Sequence, residues 1–339
     1  MQSIPPPKTQ PEKWLVTGAA GFIGSHLVEH LLKNGSRVVA LDDLSTGSMR
    51  NLDEVASRVR VEDWARFEFI QGSVCDLETC RRACSGVQRV LHEAGFVSVP
   101  LSIEDPIACN ASNVNGFLNL LVAAREAGVK QLVYASSSAV YGDDEGLPKV
   151  EDRIGNPLSP YGASKLMDEL YADVFTRNYP NPAVVGLRYL NVFGPRQNPN
   201  GGYAAVIPRW IATLVSGEPC SINGDGSITR DFCHVKNVVD ANILAATTEN
   251  RAAFGQVFNV GMGTRTTLTE LYQLISAQLG IVTPPVYLPQ RAGDIIHSEA
   301  SIQKICRELG FNPEVSVDEG LAETVRWYAK NCVRENASA

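Results

Sequence analysis

The chain has 339 residues and a mass of 36.7 kDa, with 44 % hydrophobic residues, 20 % charged residues and a formal net charge of −7. Disordered chains carry fewer apolar residues and more charge, so the composition excludes disorder and suits one large domain or two closely joined ones. The acidic balance argues against a nucleic-acid partner, and no apolar run reaches the roughly 18–20 residues that would indicate a membrane partner.

The N-terminal segment, residues 1–13, is polar and rich in proline, and it lacks the apolar core of a signal sequence. We therefore expect it to be an extended tail on a cytoplasmic protein, with a second tail at 333–339. The eight cysteines form no Cys-x-x-Cys pair, and the five histidines show no metal-ligand spacing. Free thiols and no metal site are the expectation.

The first half of the chain alternates short apolar runs with helical patterns. The apolar runs predict strands at 14–17, 37–41, 67–70, 89–92, 131–135 and 184–189. Helical periodicity predicts helices at 24–33, 113–127 and 161–178. Strands that are apolar throughout are buried on both faces, and helices between them indicate parallel pairing. The sequence therefore predicts an α/β fold with a Rossmann-type, doubly wound parallel sheet.

The second half of the chain has shorter elements and more turns, with turn clusters at 198–202 and 223–226. We expect a helix at 235–247, a strand at 256–260, a helix at 268–279, a proline-rich strand at 282–288 and two C-terminal helices. We assign 14–190 and about 228–262 to the Rossmann domain. A smaller, interleaved C-terminal substrate domain takes about 191–227 and 263–332 and lies over the C-terminal ends of the strands.

Three glycines, Gly18, Gly21 and Gly24, join the first strand to the first helix. There the first glycine allows a tight turn, the second lets backbone approach a pyrophosphate, and the third lets helix and strand pack closely. The N-terminus of the following helix offers amides and a positive dipole end to that pyrophosphate, and Phe22 and Ile23 beside it are expected to contact the cofactor. Asp42 ends the second strand, where a carboxylate accepts ribose hydroxyls and repels a 2′-phosphate. The segment predicts a dinucleotide site that prefers NAD to NADP.

Tyr161 and Lys165 are four residues apart at the start of a predicted helix, so they lie one turn apart on the same face. A phenol is a weak base at neutral pH because its pKa is about 10, and a nearby ammonium and a cationic nicotinamide both favour the phenolate. The preceding strand ends in serines, where a hydroxyl can bond the substrate oxygen that loses its proton. We predict Tyr161 as the base, Lys165 as its partner and a cofactor contact, and Ser137, with its neighbour Ser138, against the substrate.

These features together resemble the extended short-chain dehydrogenase/reductases. Further segments narrow the resemblance to the NDP-sugar 4-epimerases, and most closely to bacterial UDP-N-acetylglucosamine 4-epimerases of polysaccharide biosynthesis. The segments are NVFGPR at 191–196, YAAVIP at 203–208, INGDG at 222–226, RDF at 230–232 and RAGD at 291–294. The resemblance covers nearly the whole chain. It implies tightly bound NAD, a C-terminal domain that binds a UDP-sugar, and a homodimer formed through the helices at 113–127 and 161–178.

The resemblance also assigns substrate contacts. Arg230 and Arg291 are expected on the diphosphate, whose oxygens suit the guanidinium fork. Asn191 is expected on the sugar or its diphosphate. Ala205 and Ile207 are expected on the uracil ring, through their backbone groups.

Ser298 occupies the position that, by the same resemblance, admits or excludes an N-acetyl group on the sugar. A large aromatic side chain there excludes the group by bulk, whereas a small one admits it. The expected reaction is thus UDP-GlcNAc/UDP-GalNAc interconversion through a transient 4-keto sugar. UDP-Glc/UDP-Gal or UDP-uronic acid 4-epimerisation is the alternative. A net NAD(P)-dependent sugar-nucleotide dehydrogenase or reductase, or a non-catalytic NAD-binding regulator, is a remoter one.

Five positions distinguish this chain from other enzymes of this fold. Ser138 and Ala139 stand where dehydratases and decarboxylases of this fold need acidic residues, which argues against elimination. Ser73 replaces an aspartate that usually contacts adenine, and Glu93 adds a carboxyl near the cofactor. These two changes predict a weaker hold on NAD. Leu101 stands where close relatives carry arginine, which leaves the fine substrate preference open.

Overall fold

The computed structural model describes residues 11–199, 205–290 and 296–336. The strands are β1 (Lys13–Thr17), β2 (Arg37–Asp42), β3 (Phe67–Gln71), β4 (Arg89–His92), β5 (Gln131–Ser137), β6 (Ala183–Tyr189), β7 (Asn191–Phe193), β8 (Ser221–Asn223), β9 (Thr229–Arg230), β10 (Phe232–His234), β11 (Val257–Val260), β12 (Thr266–Thr267) and β13 (Val286–Leu288). The helices are α1 (Phe22–Lys33), α2 (Met49–Arg58), α3 (Val61–Trp64), α4 (Leu77–Cys84), α5 (Val99–Glu104), α6 (Pro106–Asn110), α7 (Gly116–Glu126), α8 (Pro160–Asn178), α9 (Val206–Val215), α10 (Val235–Thr247), α11 (Leu268–Leu279), α12 (Gln303–Leu309) and α13 (Val317–Asn336).

The central sheet, within the described ranges, has seven parallel strands in the order β11-β6-β5-β4-β1-β2-β3. The chain winds outward from β1 in both directions, so the strand order reverses between β1 and β4. In such sheets, ligands bind in the crevice at the carboxyl ends of the strands beside that reversal. The predicted doubly wound α/β fold is confirmed, and each predicted strand of this sheet lies within two residues of its observed bounds.

Helices cover both faces of the sheet because its strands are apolar on both sides. On one face, α1 and α10 pack through Leu27, Val28 and Val238. On the other face, α4 and α7 pack through Cys80 and Phe117. These two layers form the hydrophobic core and hold the carboxyl ends of the strands at one edge.

A third hydrophobic cluster gathers the shorter C-terminal elements. It joins Trp210 of α9, Ile275 of α11 and Leu321 of α13 with Phe193 of β7. Small sheets pair β10 with β7, β12 with β9, and β13 with β8. The two-domain division made above from the sequence stays a prediction.

The helix predicted at 113–127 begins earlier than the sequence pattern indicated. It starts at α6, where Asp105 accepts a hydrogen bond from the Ala108 amide at 2.9 Å and Pro106 takes the first position. A π-helical turn, Ala111–Asn115, then carries it into α7. The combined helix, Pro106–Glu126, is long and apolar enough to cross a bilayer, which corrects the expectation from apolar runs alone. Half of its most apolar window is buried, and Phe117 packs in the core, as in a core helix.

Two C-terminal predictions also change. The strand expected at 282–288 is confined to β13, because Pro284 and Pro285 have no amide to donate to a partner strand. Helix α13 continues to Asn336, through residues that the sequence placed in a tail from 333.

Candidate active site

A cavity of about 410 Å³ lies at the carboxyl ends of the central strands. Gly18 lines it after β1, Asp42 after β2, Glu93 after β4, Ser137 at the end of β5 and Tyr189 at the end of β6. The cavity therefore occupies the crevice where the strand order reverses. All the predicted cofactor and catalytic residues line it, and several of their neighbours do too.

The glycine loop between β1 and α1 forms one wall of the cavity. Gly18 has a φ of +63°, and a Cβ there would lie 2.7 Å from the Ala94 amide nitrogen. A Cβ on Gly24 would lie 2.1 Å from the carbonyl oxygen of Gly18. Gly21 precedes the first turn of α1, which carries no acidic side chain. The close backbone approach and the open helix N-terminus fit a pyrophosphate.

Asp42 forms the far end of this wall and is only 7 % exposed. Its Oδ2 accepts the Ala20 amide at 2.9 Å, and its Oδ1 accepts the Leu44 amide at 2.8 Å. Burial raises the pKa of this carboxyl, while the two amide bonds oppose that rise. Each carboxylate oxygen has a further lone pair, so both oxygens retain capacity for ribose hydroxyls.

The start of α8 places Tyr161 and Lys165 on the opposite wall. Ser159 caps the helix through the Gly162 amide at 3.1 Å, and Pro160 takes its first position. Tyr161 and Lys165 both line the cavity, one helical turn apart.

Lys165 is 4 % exposed, and its Nζ lies 3.2 Å from Oδ2 of the buried Asp168. Burial alone would lower the pKa of Lys165, but the Asp168 carboxylate and the Tyr161 oxygen outweigh it and raise the pKa. The ammonium therefore stays charged beside the phenol at neutral pH.

Asn113 joins this turn of α8 to the loop after β4. Its Oδ1 accepts the Phe96 amide at 2.6 Å, and its Nδ2 donates to the Ser164 hydroxyl at 2.8 Å. The π-helical turn Ala111–Asn115 presents this side chain inward, where it is 1 % exposed. The position of Lys165, next to Ser164, is thus fixed by groups far away in the chain.

The three serines at the end of β5 differ in their surroundings. Ser136 is 2 % exposed and donates to Glu169 at 2.6 Å, and Glu169 also holds the guanidinium of Arg188. Ser137 lines the cavity and accepts the Ala139 amide at 3.1 Å, which leaves its own hydroxyl proton for a ligand. Ser138 begins a 3₁₀ turn and lies outside the described lining of the cavity.

Comparison with known proteins agrees with this arrangement. Residues 14–261 match the NAD dependent epimerase/dehydratase family. A UDP-glucose 4-epimerase of Mycolicibacterium smegmatis is 39 % identical over 93 % of this chain and 97 % of its own length. The chain belongs to the NAD-dependent epimerase/dehydratase family.

Solved structures of similar proteins have the same fold. The UDP-N-acetylglucosamine 4-epimerase of Methanobrevibacter ruminantium M1, in complex with UDP-N-acetylmuramic acid, has a TM-score of 0.87 at 36 % identity and covers 95 % of this chain and 100 % of its own. The UDP-glucose 4-epimerase of Thermotoga maritima with UDP-glucose has a TM-score of 0.86 at 35 % identity, with 94 % and 99 % covered.

As a member of this family, the chain is an NAD-dependent enzyme, and its residues fit the cofactor. The glycine loop suits the pyrophosphate and Asp42 suits a ribose. Tyr161, Lys165 and Ser137 line the same cavity.

Of the predicted substrate residues, Ser137 and Tyr161 line the cavity. Outside its lining, around β9 and the start of α9, lie Asn191, Arg230, Ser298, Ala205 and Ile207. The Ser298 amide donates to the Thr229 carbonyl at 3.2 Å, which places Ser298 beside the strand that carries Arg230. Asn191 donates through Nδ2 to the Asp231 carbonyl at 3.1 Å. These three predicted contacts are thus close to one short strand, whereas Arg291 lies outside the described residues.

Ala205 caps α9 and is exposed, and Ile207 is the second residue of that helix. Ile207 as a whole residue is 2 % exposed and packs in the third hydrophobic cluster, and its contact with the uracil ring stays a prediction. The amides of a first helical turn have no partner within the helix, which suits them for a uracil oxygen.

Sequence reasoning did not place Glu93 or Tyr189 among the site residues. The Tyr189 hydroxyl donates to Glu93 Oε1 at 2.7 Å, and both residues line the cavity. Burial raises the pKa of Glu93 to about 8, against the opposing effects of this hydrogen bond and of Lys165. The signal that pointed to Glu93 was its departure from the pattern of relatives.

Proposed function

We propose that this enzyme is a UDP-sugar 4-epimerase that interconverts UDP-GlcNAc and UDP-GalNAc. Its membership in the epimerase/dehydratase family and the names of its relatives support the 4-epimerase reaction. The observation that carries the N-acetylated substrate is Ser298, a small side chain beside the strand of Arg230. The proposed domain division puts this strand at the junction of the Rossmann and substrate domains.

The proposed cycle begins when Tyr161, as phenolate, takes the proton of the sugar 4-hydroxyl. Lys165 stabilises the phenolate, and the Ser137 hydroxyl donates to the same sugar oxygen, so its position is fixed as the proton leaves. When bound, NAD supplies the hydride acceptor for C4 and later the donor. Arg230, with Arg291, holds the diphosphate while the flat 4-keto sugar turns over. Tyr161 then returns the proton, and the product differs from the substrate only at C4.

Residues 138 and 139 favour this reaction over elimination. Loss of water from the neighbouring carbon needs an acid and a base beside it. Ser138 and Ala139 supply no carboxyl at the positions where dehydratases of this fold carry acidic residues. Epimerisation at C4 needs only the groups already placed around Ser137.

UDP-glucose is the second candidate substrate, because several curated relatives are named UDP-glucose 4-epimerases. The two candidates differ by the acetamido group at C2, so steric room near Ser298 decides between them. A small side chain at position 298 leaves free volume and no unpaired polar group. Serine at this position therefore tolerates both sugars better than tyrosine would.

The test measures kcat/KM on UDP-GlcNAc and on UDP-Glc for the natural enzyme, Ser298→Tyr and the matched control Ser301→Tyr. We expect the natural enzyme to prefer UDP-GlcNAc, and Ser298→Tyr to lose that activity by at least about tenfold while retaining UDP-Glc. The control should change neither. Equal loss of both activities in Ser298→Tyr would remove Ser298 as the gate. A natural enzyme active only on UDP-Glc would make that sugar the substrate.

A homodimer is part of the proposal. The interface predicted through the helices at 113–127 and 161–178 includes α8, which exposes Leu170 at 59 % and Val174 at 43 %. Helices α5 and α6 pack against α8 and expose Ile103 at 62 % and Ile107 at 81 %. A second copy covering this face would remove them from water. Sedimentation of the natural chain as a dimer and of Leu170→Lys as a monomer would support it, whereas a natural monomer would refute it.

A cytoplasmic location is also proposed. The cysteines whose side chains the structure describes are all free thiols, and Cys80, Cys84 and Cys109 are buried. Reduced thiols suit the cytoplasm.

A further inference from the structure

Glu93 is a carboxyl that the proposed mechanism does not use, although it lies deep in the protein and lines the cavity. It follows β4 directly, so the backbone fixes its place at the carboxyl edge of the sheet. A chain of hydrogen bonds fixes its side chain. Asn242 of α10 donates to the Tyr189 hydroxyl at 2.7 Å, and that hydroxyl donates to Glu93 Oε1 at 2.7 Å.

The direction of these hydrogen bonds decides which Glu93 oxygen carries the proton when the carboxyl group is neutral. Burial and the nearby Glu93 raise the pKa of Tyr189 well above its usual value, so Tyr189 remains a donor. Oε1 then accepts, and a proton on the neutral acid occupies Oε2. The fully buried Asn242 also donates through Nδ2 to the Val238 carbonyl at 2.9 Å. This second hydrogen bond fixes the orientation of its side chain toward Tyr189.

The cation nearest to this carboxyl in the described part of the cavity is Lys165, and it already has a counter-charge. Its Nζ is 3.2 Å from Asp168 Oδ2. The titratable groups that act on the Glu93 carboxyl are Tyr189 on β6 and Lys165 on α8. Lys165 in turn interacts with Tyr161 and Asp168 on its own helix and with His92 on β4, and Tyr189 interacts with Cys233 on β10. Burial lowers the pKa of His92 to about 3, so that ring stays neutral and offers no second cation.

Burial raises the pKa of Glu93 to about 8. One ammonium therefore faces two carboxyl groups, of which Asp168 is the closer and Glu93 the one left neutral at pH 7. Glu93 therefore ionises within the pH range of an ordinary binding assay, between about pH 6.5 and 9.

We propose that Glu93 is a positioning residue that sets the preference of the cavity for the oxidised over the reduced cofactor. The proposal rests on the proposed function, in which the cofactor is oxidised and reduced in each turnover. In that function the nicotinamide would lie against Tyr161 and Lys165, and Glu93 lines the same cavity and interacts with Lys165. A nicotinamide is cationic when oxidised and neutral when reduced. The Glu93 carboxylate attracts only the cationic form, whereas neutral Glu93 tolerates both.

Linkage then predicts a pH-dependent preference. The oxidised cofactor stabilises the carboxylate and so lowers the pKa of Glu93, which the reduced cofactor does not. The ratio of the NADH to the NAD⁺ dissociation constant must therefore rise as pH rises through the titration of Glu93. A pKa difference of about one unit between the two complexes corresponds to a change of about tenfold in that ratio.

The test is an exchange titration that needs no sugar. Protein saturated with NAD⁺ is titrated with NADH at pH 6.5, 7.5 and 9, and bound NADH is followed by its fluorescence. The exchange constant for replacement of bound NAD⁺ by NADH equals the NAD⁺ dissociation constant divided by that of NADH. In the natural chain we expect this constant to fall by about tenfold between pH 6.5 and pH 9. Tyr161, the proposed phenolate base, would respond to the same cationic ring, so the titration is repeated in a Tyr161→Phe background. In that background the parent chain should keep most of the fall, whereas Glu93→Gln, which keeps an acceptor for Tyr189, should change by less than about twofold.

Two further variants keep the outcome decisive. Asp168→Asn removes the other acid beside Lys165 and should retain the pH dependence. Tyr189→Phe removes the hydrogen bond that lowers the pKa of Glu93, so its transition should move to higher pH, and this variant decides the matter if Glu93→Gln does not fold. A flat natural profile, or full pH dependence in Glu93→Gln, would overturn the proposal. Failure of the epimerase assignment alone would leave the exchange constants unchanged and would be seen separately in sugar assays.

Discussion

Replacement of Asp42 tests the orientation of the cofactor in the cavity. Asp42→Ala removes a carboxylate that is 7 % exposed and whose two oxygens each retain a lone pair for a ribose hydroxyl. A hydrogen bond to a charged group contributes about 1.5–3 kcal/mol. Loss of about 2 kcal/mol corresponds to an increase of about 30-fold in the NAD⁺ dissociation constant. The dissociation constant of NADP⁺ should increase less, because removal of the carboxylate also removes its repulsion of the 2′-phosphate.

The matched control is Asp43→Ala, which removes a neighbouring carboxylate of the same cavity that is bonded to Ser45 rather than to the glycine loop. Isothermal titration of both cofactors into each variant gives the four dissociation constants. We expect the ratio of the NAD⁺ to the NADP⁺ dissociation constant to differ from that of the natural enzyme in Asp42→Ala only. Equal weakening of both cofactors, or the same ratio in both variants, would refute the contact between Asp42 and the ribose.

Three further predictions concern catalysis and stability. Tyr161→Phe should lower kcat on UDP-GlcNAc by at least about a hundredfold with the melting temperature unchanged, while Tyr171→Phe on the same helix keeps normal turnover; near-normal turnover in Tyr161→Phe would remove it as the base. Glu169→Gln breaks a buried ion pair with Arg188 at 2.7 Å and should lower the free energy of unfolding by about 3–5 kcal/mol in urea titrations, and a loss below about 1 kcal/mol would contradict that account. Burial lowers the pKa of His92 to about 3, so the neutral ring contributes fully to stability above about pH 6.5, and this contribution is lost as pH falls toward 3. The free energy of unfolding should fall by up to about 1.4 kcal/mol per pH unit in this window. His92→Asn should flatten the plot of unfolding free energy against pH, and an unchanged slope would argue against a buried neutral ring.

The parts of the site that the sequence predicts are those encoded by short spacing. Gly18 and Gly24 act within one strand-turn-helix segment, and Tyr161 and Lys165 lie one turn apart on one helix. Their roles follow from local geometry, so a pattern of a few residues is enough. The fold class is predictable for a similar reason, because strands that are apolar throughout can only be buried on both faces.

The parts that the sequence does not predict depend on contacts between distant segments. The bond from Tyr189 to Glu93 joins residues 96 positions apart, and the bond from Asn113 to Ser164 joins residues 51 apart. No local periodicity encodes such pairs, so Glu93 stood out only as an unexpected residue. The start of the helix at Pro106 was missed because residues 110–115, which contain three asparagines and a serine, have weak helical propensity and are held by hydrogen bonds of Asn113 and a π-helical turn.

The central claim is that the purified chain converts UDP-GlcNAc to its C4 epimer with cofactor that it already holds. The direct measurement is to incubate the protein with UDP-GlcNAc, add no cofactor, and follow the sugar signals by proton NMR or the products by anion-exchange chromatography. The account predicts that UDP-GalNAc accumulates to a fixed ratio and that the same ratio is reached from UDP-GalNAc. No UDP-GalNAc, even after NAD is added and while UDP-Glc is converted, would contradict it.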